Sequence, residues 1–171
     1  MNNLNCARRR RQLGFSLIEL LIVVAIIIVI ITFALPKLTQ PTIQANEASA
    51  INSIATIQKA EVMYASRYPM QGFSCTLSSL GPPPQGQSAS TGAADLIDAR
   101  LAAGAKDGYT FAISGCTTAG RSNTAVTYQV TATPIAPGQT GIRAFCSDQS
   151  GNKKYDPSGN AQACLSENNL L

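Results

Sequence analysis

The apolar positions of this chain are unevenly spread. Residues 15–35 read FSLIELLIVVAIIIVIITFAL, with Glu19 as the one charge. A run that is apolar on every side describes a helix without a polar face. At about 1.5 Å per residue it spans roughly 31 Å, the thickness of a bilayer's hydrocarbon core. Pro36 closes the run and Pro41 follows. Proline lacks an amide proton and crowds the preceding turn, so a kink or break is expected at Pro36, with Pro41 as a second candidate. Beyond them the pattern turns amphipathic. Ile43, Ala50, Ile51, Ile54, Ile57, Val62 and Ala65 fall mostly on one stripe, with Asn46, Asn52, Ser53 and Lys59 off it. The expectation is one long helix over residues 15–67, transmembrane over 15–35 and amphipathic over 42–67.

Residues 78–92 (SSLGPPPQGQSASTG) have no apolar period and are rich in proline, glycine and serine, which marks a surface loop. Residues 93–103 look like a short helix, with Leu96, Ile97 and Leu101 on one side and Gly104 as its stop. From Gly108 the period becomes two. Strands are predicted at 109–113, 125–132 and 142–146, with 152–155 pairing back across the Ser150-Gly151 turn. Three or four antiparallel strands with one face on the long helix make residues 68–171 an α+β head.

Composition narrows the function. The chain of 171 residues is 45% hydrophobic but only 13% charged, about half the usual charged share. The formal charge of +4 comes from Arg8, Arg9, Arg10 and Arg11; without them nine basic residues face nine acidic ones. The body therefore presents no basic surface for nucleic acid. Histidine and tryptophan are absent, removing the commonest general base and the commonest zinc ligand. The head contains no glycine-rich phosphate loop and no GxSxG motif. Asp95 and Asp98, three apart on the expected helix, read as a solvated face rather than paired catalytic carboxylates. No enzyme activity and no cofactor are expected.

The basic tetrad before the apolar run sets orientation, holding the N-terminus in the cytoplasm and sending the head across. A cleaved secretory signal would be shorter, and Ala34-Leu35-Pro36 is a poor Ala-x-Ala site. A plain anchor accounts for the length but not for Glu19, since an ionisable residue in a membrane span costs up to about 3 kcal/mol at its centre. The segment Gly14-Phe15-Ser16-Leu17-Ile18-Glu19-Leu20-Leu21-Ile22-Val23 resembles the class III signal of type IV pilins and secretion pseudopilins. The resemblance covers residues 1 to about 63; beyond that it is architectural. It implies cleavage of a leader, residues 1–14, between Gly14 and Phe15, with N-methylation of Phe15. Cutting there removes the arginines and leaves a positive amine four residues from Glu19. A carboxylate in hydrocarbon that meets a neighbour's ammonium is partly compensated. Glu19 and Phe15 are thus expected to fix the register of stacked helices. The alternative is a Glu19 hydrated near the membrane surface, without a partner.

Of five cysteines, Cys6 lies in the leader. Cys75, Cys116, Cys146 and Cys164 remain, an even number in an oxidising compartment, and four allow three connectivities. The pilin resemblance favours Cys75–Cys116 and Cys146–Cys164, because many pilin heads carry a short C-terminal disulfide loop. A zinc site ranks below, as no CxxC pair occurs, and free thiols in one pair are a further alternative. Asp148-Gln-Ser-Gly-Asn152 and Asp156-Pro-Ser-Gly-Asn160 are oxygen-rich, and some pseudopilins bind calcium in a C-terminal loop. Without an Asp-x-Asp-x-Asp-Gly pattern and a distal Glu, two plain turns are favoured and no metal is expected.

The resemblance implies a non-enzymatic subunit of a type IV pilus-like filament (a fimbrium), with a prepilin peptidase, an assembly ATPase and an inner-membrane platform protein as partners. Before assembly it would sit in inner-membrane lipid with its head periplasmic; afterwards it would form a homopolymer in an extracellular pilus or a periplasmic pseudopilus. Adhesion, twitching motility and DNA uptake are family-level roles that these residues do not select. The first alternative is a type II secretion pseudopilin, and four head cysteines with a long C-terminal region tilt against it. The second is a membrane-tethered periplasmic enzyme or binding protein.

Overall fold

A computed structural model describes residues 15–34, 36–120, 123–167 and 169–171, with the side chains of 33–34 and 36–39 left aside. The chain divides between Leu38 and Thr39 into two units. The first contains α1 (Leu17–Ala34), and α2 (Pro36–Arg67) runs on into the second. Helix is described on both sides of Leu35, which itself lies outside the described residues. The expected kink at Pro36 involves Leu35 and falls with it. Pro41 lies inside α2, which continues past it.

Among the described residues no helix is long and apolar enough to cross a membrane. The described extent of α1, Leu17–Ala34, is 18 residues, roughly 27 Å. Every described side chain of residues 15–32 is exposed, with Leu17 at 81% and Val23 still at 45%.

The second unit is built on a five-stranded antiparallel meander in the order β1 (Ala105–Lys106), β2 (Tyr109–Ser114), β3 (Gln129–Pro134), β4 (Ala144–Asp148) and β5 (Lys153–Asp156). This α+β arrangement is the expected fold class, with one more strand than foreseen. The extra strand, β1, is two residues long and joins β2 through Asp107 and Gly108, both at positive φ, as a tight hairpin of primed type requires.

One face of the sheet meets α2. Registered neighbours Phe111, Ala132, Phe145 and Tyr155 form a row across β2 to β5. Phe111, Ala132 and Phe145 belong to the same core as Ala50, Ile54, Ile57, Ala60 and Tyr64 of α2. Burying Ile54 and Ile57 contributes about 2–3 kcal/mol each. The row Ala112, Thr131, Cys146 and Lys154 turns the other way. There Cys146 is bonded to Cys164 of α5 (Ala161–Ser166), which Asn160 caps through its side-chain oxygen. At the β5 edge the C-terminal residues add backbone bonds: the Tyr155 N–H donates to Asn169 O at 2.9 Å, and the Leu171 N–H to Lys153 O at 3.1 Å.

Four local expectations are corrected. The helix expected at 93–103 shrinks to α4 (Ala99–Ala102), because Asp95 takes a left-handed φ of 58° and Asp98 caps α4 by accepting the Leu101 N–H. Asp95 and Asp98 therefore do not share a helix. The loop expected from 78 is entered by α3 (Leu77–Leu80), whose two leucines are buried. The strand expected at 125–132 starts only at Gln129, since Ala125 forms isolated bridges to Gly72 and Thr118 instead. On α2, Val62 was expected on the stripe and is 59% exposed, whereas Ser53 was expected off it and is buried.

The Gly72 bridge gives a test. Gly72 has a φ of +72°, and a Cβ there would lie 2.0 Å from Ala125 O. Gly72→Ala is expected to destabilise the head by about 2–3 kcal/mol, lowering the Tm by roughly 5–10 °C in a thermal melt of the full chain.

Candidate functional site

Gly14 lies outside the described residues; Phe15 and Glu19 lie within them. Ser16 O accepts the Glu19 N–H at 3.1 Å and the Leu20 N–H at 3.2 Å, so the helix starts directly after Ser16. Glu19 therefore sits in the first turn of α1. The Ser16-x-x-Glu19 spacing is that of a capping box, and a carboxylate there faces the positive end of the helix dipole. Phe15, 79% exposed, precedes Glu19 by four residues. One end of α1 thus holds an acid where its backbone is electropositive, and the rest of the helix presents apolar side chains without cover. Such a surface leaves water by entering lipid or by packing against another apolar helix.

In the second unit two carboxylates that sequence reading passed over are buried on the stripe of α2. Positions 43, 47, 50, 54, 57, 61 and 64 alternate steps of four and three, the spacing of a single helix face, and Glu47 and Glu61 occupy two of them. The signal was present in the sequence: the stripe that collects the isoleucines also collects these two acids.

Glu47 is a clasp. Its Oε1 accepts the Ile142 and Arg143 backbone N–H groups, each at 3.1 Å, and its Oε2 accepts the Arg143 Nε–H at 2.9 Å and an Nη2–H at 2.7 Å. Burial alone would push the Glu47 carboxyl up. Hydrogen bonds from the Arg143 side chain, the Arg143 and Ile142 N–H groups and the guanidinium charge outweigh it and hold the group below the usual range. The guanidinium also lies over Phe145 and Tyr155, 5.3 and 5.6 Å from their ring centres. Asn46 adds a bond to Thr140 O at 2.8 Å, and Gln58 donates to Ser147 Oγ and to Gly151 O. Glu61 is different: it is fully buried, and among the described residues its one hydrogen bond is from the Ser74 N–H at 2.7 Å.

The four head cysteines form two pairs: Cys75 with Cys116 at a Cα–Cα distance of 5.9 Å, and Cys146 with Cys164 at 6.0 Å. The first joins the chain just before α3 to the chain just after β2; the second holds α5 to β4. The oxygen-rich segments make turns. Asp148 Oδ1 accepts the Ser150 N–H at 2.8 Å, and Asp156 Oδ2 accepts Ser158 Oγ–H at 2.6 Å and the Asn160 N–H at 2.7 Å. Those donors hold the Asp156 carboxyl below its usual range. Among the described residues, no three or more of His, Cys, Asp and Glu gather as a metal site would need.

Residues 9–35 match the family model described as the prokaryotic N-terminal methylation motif. The matched stretch contains Gly14, Phe15 and Glu19 and ends with the apolar run. The chain carries the class III signal of type IV pilins and pseudopilins, a motif typical of membrane-anchored precursors. No curated protein and no solved structure matches the chain.

Glu47 supplies a pH-dependent test. Its folded pKa is depressed, so its contribution is present above the unfolded value of 4.5 and lost as pH falls through the folded one. In acid unfolding of the full chain, Glu47→Gln is expected to flatten the loss of stability below about pH 4.5. Arg143→Ala should cost about 2 kcal/mol at neutral pH by denaturant titration, because it strips the carboxylate of its charged partner at a half-exposed site.

Proposed function

We propose that this protein is a structural subunit of a type IV pilus-like filament, made as a precursor and polymerised through its N-terminal helix. The methylation motif at residues 9–35 carries the reading, and the exposed apolar surface of α1 supports it. A prepilin peptidase cuts between Gly14 and Phe15 on the cytoplasmic side, and the new amine of Phe15 is methylated. The arginines that held the leader in the cytoplasm leave with it. The released subunit rests in inner-membrane lipid through residues 15–35, with residues 68–171 as its periplasmic head.

Polymerisation then moves α1 from lipid into a bundle of like helices. Lipid is as apolar as isoleucine, so hydrophobicity alone does not favour the transfer; close packing and polar pairing do. Glu19 provides the polar term: its carboxylate meets the Phe15 ammonium of a neighbour, and one register is selected. An assembly ATPase and a platform protein drive the step. The head is held by its two disulfides, and no cofactor takes part. A secretion pseudopilus is built by the same chemistry, and loss of surface fibres on deletion separates the pilus from it.

Mass spectrometry of the protein from its native host is expected to show a chain beginning at methylated Phe15, and replacing Gly14 with a larger residue should leave the leader in place. Glu19→Ala should still be cut but yield few fibres beside wild type in electron micrographs of sheared material. A mature chain starting at Met1, or normal fibres from Glu19→Ala, would overturn the reading.

A further inference from the structure

Glu61 is a fully buried carboxyl on the core-facing stripe of α2. Its Oε2 accepts the Ser74 N–H at 2.7 Å, while Oε1 has no hydrogen-bond partner among the described residues. An ionised carboxylate in such a place needs several donors or a cation, because each lost water bond is expensive in a low-dielectric interior. The groups that act on it or bond to it provide neither. α2 contributes Tyr64, whose hydroxyl already donates to Thr91 O at 2.7 Å. The stretch after α2 contributes the Ser74 N–H, with the Tyr68 ring tilted against Tyr64 at 4.9 Å between centres. The stretch leading into β3 contributes Tyr128, packed on Phe73 at 4.9 Å and itself within the field of Asp148. Lys59 and Arg67, on the same helix, are exposed. A neutral acid fits this site with one oxygen as carbonyl acceptor for Ser74 and the other as the O–H.

We propose that Glu61 is a proton-held latch: protonated, it lets residues 68–76 close over α2, and once ionised it opens them to admit water, because the cost of an uncompensated buried charge outweighs the stronger bond a carboxylate accepts from the Ser74 N–H. The segment has few other ties to α2. Tyr68 N–H and Gly72 N–H close the end of the helix on Tyr64 O and Tyr68 O, and Phe73 and Gln71 bond instead to Ala125. Releasing Ser74 frees the chain beside Cys75, and the Cys75–Cys116 bridge keeps the opening local. Burial raises the carboxyl from 4.5 to about 8, against the lowering effect of the Ser74 N–H. A folded pKa above the unfolded one gives stability that is full below pH 4.5 and falls as pH rises toward 8. The inference does not depend on the filament reading.

The test uses the full chain in detergent micelles with its disulfides intact. Carbon-13 NMR of the glutamate carboxyls, assigned with Glu61→Gln, should find Glu61 still protonated at pH 7. Between pH 5.5 and 8 the unfolding equilibrium constant of wild type should rise by up to about tenfold per pH unit relative to Glu61→Gln. Hydrogen exchange at the Ser74 amide, corrected for the intrinsic rate, should lose protection with rising pH in wild type only. Should Glu61→Gln fail to fold, Glu61→Met serves as the comparison, and the wild-type titration stands without either. A Glu61 carboxyl titrating near its ordinary value, or parallel stability profiles for wild type and variant, would overturn the proposal.

Discussion

An isolated helix buries only one face, and in this head that face is the seam of α2 against the sheet. The seam is set by alternating steps of three and four along α2, and by the row Phe111, Ala132, Phe145 and Tyr155 across four strands. Everything else in the head is arranged around it. Hydrophobic contact is non-directional and would allow the helix to slide. The polar bonds along the seam do not. Glu47 binds two consecutive amides and a guanidinium at one end, and Gln58 reaches Ser147 and Gly151 farther along. Apolar burial supplies the driving force, and directional bonds fix the register.

The N-terminal helix obeys the opposite rule. It has no polar face to turn to water, and its described apolar side chains, residues 15–32, are all exposed. Its one carboxylate sits in the first turn, where the helix backbone is electropositive. The same residue type therefore does three things in one chain. Glu19 marks the end of an apolar helix, Glu47 clasps a strand entry through a cation, and Glu61 is buried with a single amide.

Much of this was legible in the sequence, and the reasons are physical. The uninterrupted run at 15–35, the change of period after Pro41 and the alternation from Gly108 each follow from a spacing that one kind of backbone imposes. The N-terminal motif was readable because it is local, with Gly14, Phe15 and Glu19 at fixed offsets. What failed was decided by contacts distant in sequence. Residues 93–98 have helical composition, yet the Ala94 N–H goes to Ser79 O and the Leu96 N–H to Leu80 O, which pulls the chain out of a helix. Ala125 was read as strand but is held by Gln71 and Phe73. Leu80 looked like loop because prolines follow it, although its side chain is wholly buried. Glu47 and Glu61 were overlooked because acids on a helix are usually solvated, and only the strands opposite reveal what they meet.

The last three residues carry a consequence of their own. A sheet's outermost strand normally offers open amides and carbonyls to any passing chain. Here Asn169 and Leu171 occupy those groups on β5, and the disulfide from α5 to β4 keeps that tail close at hand. At the opposite border β1 is only two residues long, too brief a template for a stranger. An approaching strand therefore finds the β5 ladder already taken and β1 too brief to extend, which disfavours backbone pairing with another chain at these two borders.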